Sequence, residues 1–361
     1  MEFEVKNSNS KKKKKNSNNN IMIIIAIFFL VLAILLMVYY FYRLTTPKKT
    51  KQVQAAKPKV VEQVEKSSIK IVNDKSNDRP IAIMIDNNIG ENKHAGLQDS
   101  YINYEMIVEG GLTRIMALYK DKAVGLIGPV RSSRNYFLDY ALEHDAIYVH
   151  YGWSPSAEDD ISTLGVNNIN GLTDPTPFAR DSSIASPHNV FTSIGKIKSY
   201  VENKGYSKTS EKWKVLNYSS QEIDLNQSKS DSQETHKVEI EYSYYQTRSY
   251  TYDSVNQYYL RSQNGEAHLD RVSGNQLYYK NIIILKVDSK TIDSEGRQQL
   301  TTTGKGTGYY ITNGYSVPIN WTKTSRSDKT IYTYLDGTDV TVNDGNTFIQ
   351  IVPTTNQITI E

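Results

Sequence analysis

The chain of 361 residues contains no cysteine. This absence excludes disulfide bonds, thiolate catalysis and cysteine-based metal sites, and it also excludes lipid attachment through an N-terminal cysteine. Histidine is scarce, at 6 residues. The side chains that could still bind a metal follow no metal-binding spacing; they are His144, Asp145, His150 and His188. The sequence therefore predicts no metal site and no cofactor.

Positive charge is concentrated near the N-terminus. Residues 1–20 carry +4, residues 43–80 carry +6 and residues 81–361 carry −7, although the net charge of the chain is only +3. A protein that binds nucleic acid usually carries its positive charge on the folded part. Here the positive charge flanks a hydrophobic segment, so we predict no nucleic-acid partner.

That segment, from Ile21 to Tyr42, is uncharged and entirely apolar or aromatic. At ~1.5 Å per residue it is long enough to cross the hydrocarbon core of a membrane. Tyr39, Tyr40 and Tyr42 close it, as an interfacial aromatic belt does. No small-residue cleavage pattern follows, which favours a retained transmembrane anchor over a cleaved signal peptide.

The orientation of this anchor depends on two basic flanks. The lysines at 11–15 place the N-terminus in the cytoplasm, because cytoplasmic flanks carry an excess of Lys and Arg. Arg43, Lys48, Lys49 and Lys51 oppose this on the other side. Since the upstream block is denser, we predict a single-pass protein of the plasma membrane with everything after residue 42 outside the cell.

Composition divides the chain into six segments. A shift at Pro80 marks the start of globular sequence, and a Ser/Gln/Lys/Asp-rich stretch separates two halves of it. The predicted segments are a basic cytoplasmic tail (1–20), the anchor (21–42), a flexible stalk (43–78), an α/β domain (79–206), a linker (207–237) and a β-rich domain (238–361).

The first globular half alternates strand and helix signals. The continuous apolar run 81–85 predicts a buried strand. Residues 97–109 have nearly helical apolar spacing until Gly110 and Gly111, which predicts a helix. The apolar runs 115–119 and 123–127 are too close for a parallel crossover, so they predict an antiparallel hairpin.

Further elements follow in both halves. Ser132 or Ser133 is predicted to cap a helix that reaches residue 144, and Ser154 another that begins at Pro155. Residues 146–150 predict a strand and residues 190–203 a helix that ends at Gly205. After residue 238 every signal is β, and residue 281 starts a core strand. The predicted fold class is α+β, with a mixed sheet in the first half and a β-rich second half.

Several long motifs resemble the YerB family of Gram-positive envelope proteins, a domain family of unknown function. The motifs are RPIAIMIDN (79–87), YEMIVEGGLTR (104–114), GPVRSSRNYFLDYALEHDAIYVH (128–150), SPHN (186–189), NGEAHLD (264–270), INWTK (319–323) and DGNTFIQIVP (344–353). The resemblance covers most of residues 79–355. It implies an exported, membrane-attached protein with a three-layer α+β architecture, but no established chemistry. Members of this family are often lipoproteins, whereas this chain has a transmembrane helix instead.

The predicted hairpin brings Arg114 close to Arg131, and Arg134 follows near the start of a predicted helix. Guanidinium groups bind phosphate and carboxylate groups well, so this cluster is a candidate site for an anionic ligand. The alternative is internal pairing with Glu105 and Glu109, which lie four residues apart on the preceding predicted helix.

A second group of candidates lies near strand ends. If the strands that end at Asp86 and His150 run parallel, both side chains open onto the same crevice, where acid–base chemistry is conceivable. The alternative is an Asx turn at Asp86 and simple packing of His150. His188 and Asn189 belong to a segment that either caps the helix near residue 190 or faces the crevice. Tyrosines could stack sugars or pack across strands; they are Tyr242, Tyr244, Tyr245, Tyr250 and Tyr252.

Two functions from different classes follow. The first is a non-catalytic, membrane-anchored extracytoplasmic module that binds a cell-envelope component, such as a wall polymer or a wall-synthesis partner, or regulates an envelope enzyme. The second is a hydrolase of wall glycan or phosphate-containing wall precursors, with Asp86, Glu105 or Glu109 as acid or base. The hydrolase requires a deep cleft that joins these carboxylates to the arginines.

Overall fold

The computed structural model of the chain describes residues 17–45, 69–88 and 93–361. Helix α1, Ser17–Thr45, contains the predicted anchor. Its segment Met22–Thr45 is long and apolar enough to cross a membrane, although a signal sequence near the N-terminus would pass the same test. Most of the predicted cytoplasmic tail, and residues 46–68 of the predicted stalk, lie outside the described residues.

The described residues from 69 onwards form one compact unit. Its helices are α2 Phe137–Glu143, α3 Pro155–Thr163, α4 Ile194–Lys204 and α5 Leu225–Ser228. Its strands in the first half of the chain are β1 Ile81–Asp86, β2 Ile102–Ile107, β3 Thr113–Tyr119, β4 Ile147–His150, β5 Asn168–Asn170, β6 Ala179–Arg180, β7 Val190–Phe191, β8 Asn217–Ser219 and β9 Gln233–Glu234. The strands that follow are β10 Lys237–Ser243, β11 Gln246–Asp253, β12 Tyr258–Gln263, β13 Glu266–Ala267, β14 Tyr278–Tyr279, β15 Asn281–Val287, β16 Ser289–Thr291, β17 Gln298–Leu300, β18 Gly304–Thr312, β19 Tyr315–Lys323, β20 Ile331–Tyr334, β21 Thr341–Asn343, β22 Thr347–Pro353 and β23 Ile358–Ile360.

The central sheet joins strands from both halves of the chain. Its order is β20-β19-β18-β15-β22-β2-β3-β1-β4-β5, with β9 paired to β19. Strand β22 lies between β15 and β2 and runs parallel to both. The strands β1, β2, β3 and β22 are buried along their whole length, as the continuous apolar runs in β1 and β3 predict. The two halves of the chain therefore share one sheet and one core.

A second sheet covers one face of the central sheet, and α2 covers the other. The second sheet has the order β13-β12-β11-β10-β23, with β14 paired to β12. Successive residues of a strand point to opposite faces. On β2, Tyr104 contacts Glu143 of α2, whereas Glu105 contacts Arg248 of β11. The structure confirms the predicted α+β fold class with a β-rich second half, and it has the three layers that the resemblance implies.

Two predictions in the first half are wrong. Residues 97–109 do not form a helix: a single 3-10 turn, Leu97–Asp99, precedes strand β2, and another turn, Glu109–Gly111, follows it. Residues 115–119 and 123–127 do not form a hairpin, because β3 pairs with β1 and β2 instead. The polar side chains of β2 are buried against residues that are distant in sequence, so the burial of this strand is not visible in its apolar residues. Taken alone, those apolar residues have a spacing that resembles that of a helix.

The helix caps are partly as predicted. Ser154 caps α3, and Gly205 ends α4 with a left-handed backbone. Helix α2 begins later than predicted, after Tyr136, and neither Ser132 nor Ser133 caps it. Helix α4 begins at Ile194 with Ser193 as its cap, so the segment 186–189 does not cap it.

The segments that flank the first half are packed against the body. Val72, which belongs to the predicted stalk, is buried, and Ile69 and Ile71 pack against the core. The backbone N–H groups of Lys70 and Ile71 donate to the carboxylate of Asp344 at 2.7 and 2.9 Å. The stalk prediction is therefore wrong for residues 69–78. The predicted linker 207–237 contains β8, α5 and β9 and contributes buried side chains.

Candidate functional site

Polar side chains meet where β1 and β2 end and β3 begins. The chain at 129–131 bonds to the end of β1: the N–H of Arg131 donates to the Met84 carbonyl at 2.9 Å. This pairing places the Arg131 side chain against Asp86, with 3.2 Å between Nε and Oδ2. His188 Nδ1 lies 2.6 Å from the same oxygen. Asp86 therefore holds two side chains that are each about a quarter exposed.

Arg114, at the start of β3, lies between the group formed by Asp86, Arg131 and His188 and a second group that contains Glu109 and Arg134. Its Nη1 donates to the Ser132 carbonyl at 2.8 Å, and its Nη2 lies 3.8 Å from Glu109. Glu109 also accepts a bidentate pair of hydrogen bonds from Arg134. Burial by itself raises the pKa of Glu109, but the hydrogen bond and charge of Arg134 outweigh burial and lower that pKa. Burial, with repulsion from Arg134, lowers the pKa of Arg114 to about 10.

We call these five side chains the arginine surface: Asp86, Glu109, Arg114, Arg131 and Arg134. Three guanidinium groups face two carboxylates, which leaves one positive charge unmatched within the set. The three arginine side chains are 10, 25 and 13% exposed in sequence order, so Arg131 is the most accessible. The five side chains can therefore attract an anion, because their positive charges are not all balanced by carboxylates.

Glu105 belongs to a separate, fully buried network. Its carboxylate pairs with Arg248 at 2.6 Å and with Arg261 at 2.7 Å. It also accepts from Thr113 at 2.6 Å, and amides of Asn87 and Gln350 complete the shell. Burial opposes ionisation, yet the two arginines dominate and lower the pKa of Glu105 to about 2. Glu105 is thus always ionised near neutral pH, and its ion pairs join the two sheets. It does not pair with the arginine surface.

A chain of buried hydrogen bonds leads from this network towards Asp86. Arg261 Nη1 lies 2.6 Å from His268 Nδ1, and His268 Nε2 lies 2.8 Å from His94 Nδ1. His94 Nε2 then lies 2.5 Å from the Asp86 carbonyl oxygen. Because a guanidinium only donates, each Nδ1 accepts and each Nε2 donates. Both imidazoles are therefore neutral, and burial lowers the pKa of each.

His150 and Asn189 lie away from any shared crevice. Strands β1 and β4 do run parallel, but His150 is fully buried, with Nδ1 2.8 Å from the Gly152 carbonyl oxygen. Its side chain therefore does not meet the carboxylate of Asp86. The amide oxygen of Asn189 accepts from Arg180 at 2.7 Å. Of the two SPHN side chains that we singled out, only His188 contacts Asp86.

A cavity of about 410 Å³ lies elsewhere; Gly96, Leu126, Asp270 and Tyr278 are among its lining residues. None of the three candidate carboxylates lines it, and Glu105 is buried between two arginines. Glu105 therefore does not line the cleft that the hydrolase hypothesis requires. Within the described residues, no group of three or more acidic or histidine side chains is arranged to hold a metal ion.

Sequence analysis missed the partners of Glu105. Arg248 and Arg261 lie 143 and 156 residues further along the chain, in strands where an alternating pattern predicts an exposed face. A second buried glutamate, Glu143, was also missed; it pairs with Lys323 at 3.0 Å. The one local signal is that each arginine lies two residues from an inward-facing tyrosine of its own strand, Tyr250 for Arg248 and Tyr259 for Arg261.

Comparisons with known proteins identify the family. Residues 67–207 match the "Protein of unknown function (DUF3048) N-terminal domain", and residues 238–349 match its C-terminal domain. "Putative lipoprotein YerB" of Bacillus subtilis (strain 168) is 30% identical over 279 residues, which cover 76% of this chain and 81% of that protein. The crystal structure of YerB from the same species matches with a TM-score of 0.71 at 28% identity, over 81% of this chain and 99% of that one. The chain therefore belongs to the YerB (DUF3048) family, whose members have no known function.

Proposed function

We propose that the protein is a single-pass plasma-membrane protein with its N-terminus in the cytoplasm and its folded body outside the cell. There it would act as a non-catalytic binding or regulatory module of a Gram-positive cell envelope. The apolar helix and the lipoprotein relative both fit membrane anchoring. The lysine block at 11–15 supports the proposed orientation.

The absence of cysteine makes this topology directly testable. Single cysteines are introduced as Ser8→Cys, before the anchor, and as Val255→Cys, at a position that is 88% exposed. A membrane-impermeant maleimide should label Val255→Cys in intact cells, and Ser8→Cys only after lysis. The unsubstituted chain gives no background, since it has no thiol. Labelling of Ser8→Cys alone in intact cells would reverse the proposed orientation.

The arginine surface is the proposed ligand-binding site. The observation that carries this proposal is the Arg131 side chain, which is 25% exposed and is held by Asp86 through its Nε edge. A guanidinium fixed in this way keeps its outer Nη groups available for a phosphate or carboxylate group. Arg114 adds to the attraction, because repulsion from its neighbours is relieved when an anion binds. The ligand would be an anionic cell-wall polymer or an acidic surface of an envelope protein.

The test compares two basic residues at opposite ends of the sheet. The full-length chain in phosphatidylcholine nanodiscs is titrated with inorganic polyphosphate, and Arg131→Ala should weaken binding by about tenfold, the loss of one charge-assisted contact. Lys280→Ala is the matched control: its side chain is 20% exposed and pairs with Glu222. It should bind as the wild type does.

Thermal stability separates binding from a structural role. Asp86 keeps His188 after Arg131→Ala, so the loss in free energy of unfolding should stay below the ~3–5 kcal/mol expected for a buried charge without any partner. A large drop in melting temperature with unchanged polyphosphate binding would instead identify Arg131 as a structural ion-pair partner.

The hydrolase hypothesis receives less support. Glu105 has no exposed atom and is ionised by two arginines, whereas a general acid needs a raised pKa and access to substrate. Asp86 and Glu109 are each held by an arginine. The geometry thus favours the binding module.

A further inference from the structure

Two tyrosines form the loop of the hairpin between β10 and β11. Ser243 pairs with Gln246, so Tyr244 and Tyr245 are the loop residues. Two-residue loops usually carry Asn, Asp or Gly. Tyr244 is 95% exposed and Tyr245 is 40% exposed, whereas Tyr242 in the preceding strand is buried. The two exposed rings meet edge to face with centroids 4.7 Å apart. This loop therefore presents aromatic area that the fold itself does not bury.

The tyrosine loop lies beside the turn Glu109–Gly111, which carries one carboxylate of the arginine surface. A Cβ added at Gly111 would come within 2.8 Å of Ser243 Cβ and 3.2 Å of the Tyr245 hydroxyl. Gly111 also has a φ of 72°, so a side chain is excluded both by its backbone and by this approach. Glu109, two residues earlier, holds Arg134. The exposed rings and the guanidinium groups therefore border the same end of the central sheet.

We propose that this combined surface binds an anionic polysaccharide, a chain of sugar rings that carry phosphate or carboxylate groups. The inference rests on the proposed function and names its ligand class. A tyrosine ring offers a flat apolar face and a polar tip, which match the C–H face and hydroxyl rim of a sugar. The arginines bind the anionic groups. A bare polyanion uses the arginines alone and leaves the aromatic pair unused.

The position of the surface also suits an extended polymer. The described part of the body begins at residue 69, and Lys70 and Ile71 bond to Asp344 near the start of β22. Thr347 at that start pairs with Ile102, the first residue of β2. The arginine surface lies beyond the other end of β2, roughly 20 Å away at ~3.3 Å per residue. The first described residues of the body thus lie at the opposite end of β2 from this surface.

The ligand class is tested with the full-length chain in phosphatidylcholine nanodiscs and four probes. The probes are phosphomannan, unphosphorylated mannan, inorganic polyphosphate and vesicles that contain phosphatidylglycerol. Phosphomannan should bind at least about tenfold more tightly than either mannan or polyphosphate, because it alone engages both parts of the surface. Equal binding of polyphosphate, or tighter binding of the vesicles, would overturn the saccharide assignment.

Variants assign the binding to the tyrosine loop. Tyr244→Ala should weaken phosphomannan binding about 3- to 10-fold, the usual value of an aromatic contact, and should leave polyphosphate binding unchanged. Tyr244→Phe, which keeps the ring, should restore phosphomannan binding. Val255→Ala, at another exposed turn, is the control for a hairpin substitution.

The outcomes separate this inference from the proposed function. If Arg131→Ala weakens both polyanions and Tyr244→Ala weakens neither, the arginine surface stands as an anion site and the saccharide assignment is overturned. If Arg131→Ala weakens neither, both are overturned. Selective loss of phosphomannan binding in Tyr244→Ala, with polyphosphate lost only in Arg131→Ala, supports both.

Discussion

Mild acid should unfold the globular body, because it buries four histidines in neutral form. Burial lowers the pKa of His94, His144 and His150 to about 4, and that of His268 well below its usual value. The unfolded chain binds a proton at each of these positions near pH 6.5. Between about pH 6.5 and 4 the unfolded state therefore holds more protons than the native state, and the free energy of unfolding falls as the pH falls.

The size of the effect follows from the number of histidines. Each one removes about 1.4 kcal/mol of stability per pH unit in this window, so four remove about 5 kcal/mol per unit. The summed loss reaches about 8 kcal/mol at pH 5, which is comparable to the whole stability of a typical protein. We expect an unfolding midpoint between about pH 5.5 and 4. Glu105, with a pKa of about 2, contributes only at still lower pH.

The assay counts protons directly. Chain in detergent micelles is unfolded with guanidinium chloride in a pH-stat, at about pH 5 and at about pH 8. We expect an uptake of about four protons per chain at the lower pH and almost none from histidine at the higher pH. His150→Gln should reduce the uptake by about one proton. Tyr148→Phe is the control: it loses a hydrogen bond to Ser133 beside the same histidine but no group that titrates near this pH.

An uptake below about one proton at pH 5 would refute the reasoning, since it requires that the histidines are already charged in the folded protein. A normal uptake in His150→Gln would refute only the assignment to that residue.

Four substitutions test the packing. Glu105→Gln leaves two buried arginines without a counter-charge and should cost about 3–5 kcal/mol in chemical denaturation; a loss under about 1 kcal/mol would contradict the network. Lys323→Met leaves the buried Glu143 without its positively charged partner and should cost a similar amount of stability in the same assay. Gly308→Ala would place Cβ 1.9 Å from the Ile284 carbonyl oxygen, so this variant should express without a cooperative melt. Gly195→Ala in α4 meets nothing within 4 Å and should gain about 0.5–1 kcal/mol.

The parts of the fold that depend on local pattern were predictable. Uninterrupted apolar runs mark β1 and β15, and Ser154 followed by Pro155 marks the start of α3. Strand β2 was not predictable, because its polar residues are buried by partners that are distant in sequence. The position of β22 in the middle of the sheet likewise cannot be predicted from a short stretch of sequence. Its neighbouring strands begin at Ile102 and Asn281, far from it in the chain.

The proximity of Arg114 and Arg131 does not come from the hairpin that predicts it. The predicted hairpin placed Arg114 near Arg131, and the two do lie near each other. The actual cause is that residues 129–131 bond to the end of β1. The predicted pairing of Glu109 with an arginine is present, whereas Glu105 turns to the opposite face and pairs with β11 and β12. Strand alternation decides which face of β2 Glu105 takes, whereas the predicted helix placed Glu105 and Glu109 on the same face.

The place of β22 has a consequence for how the protein is made. Until Thr347–Pro353 has been synthesised, β2 and β15 have no neighbour between them and each exposes an unpaired edge. Synthesis runs from the N-terminus, so the sheet stays open while the intervening chain is made and closes only with nearly the last strand. A chain that stops before residue 347 should therefore aggregate or be degraded, even though it contains the complete N-terminal family domain.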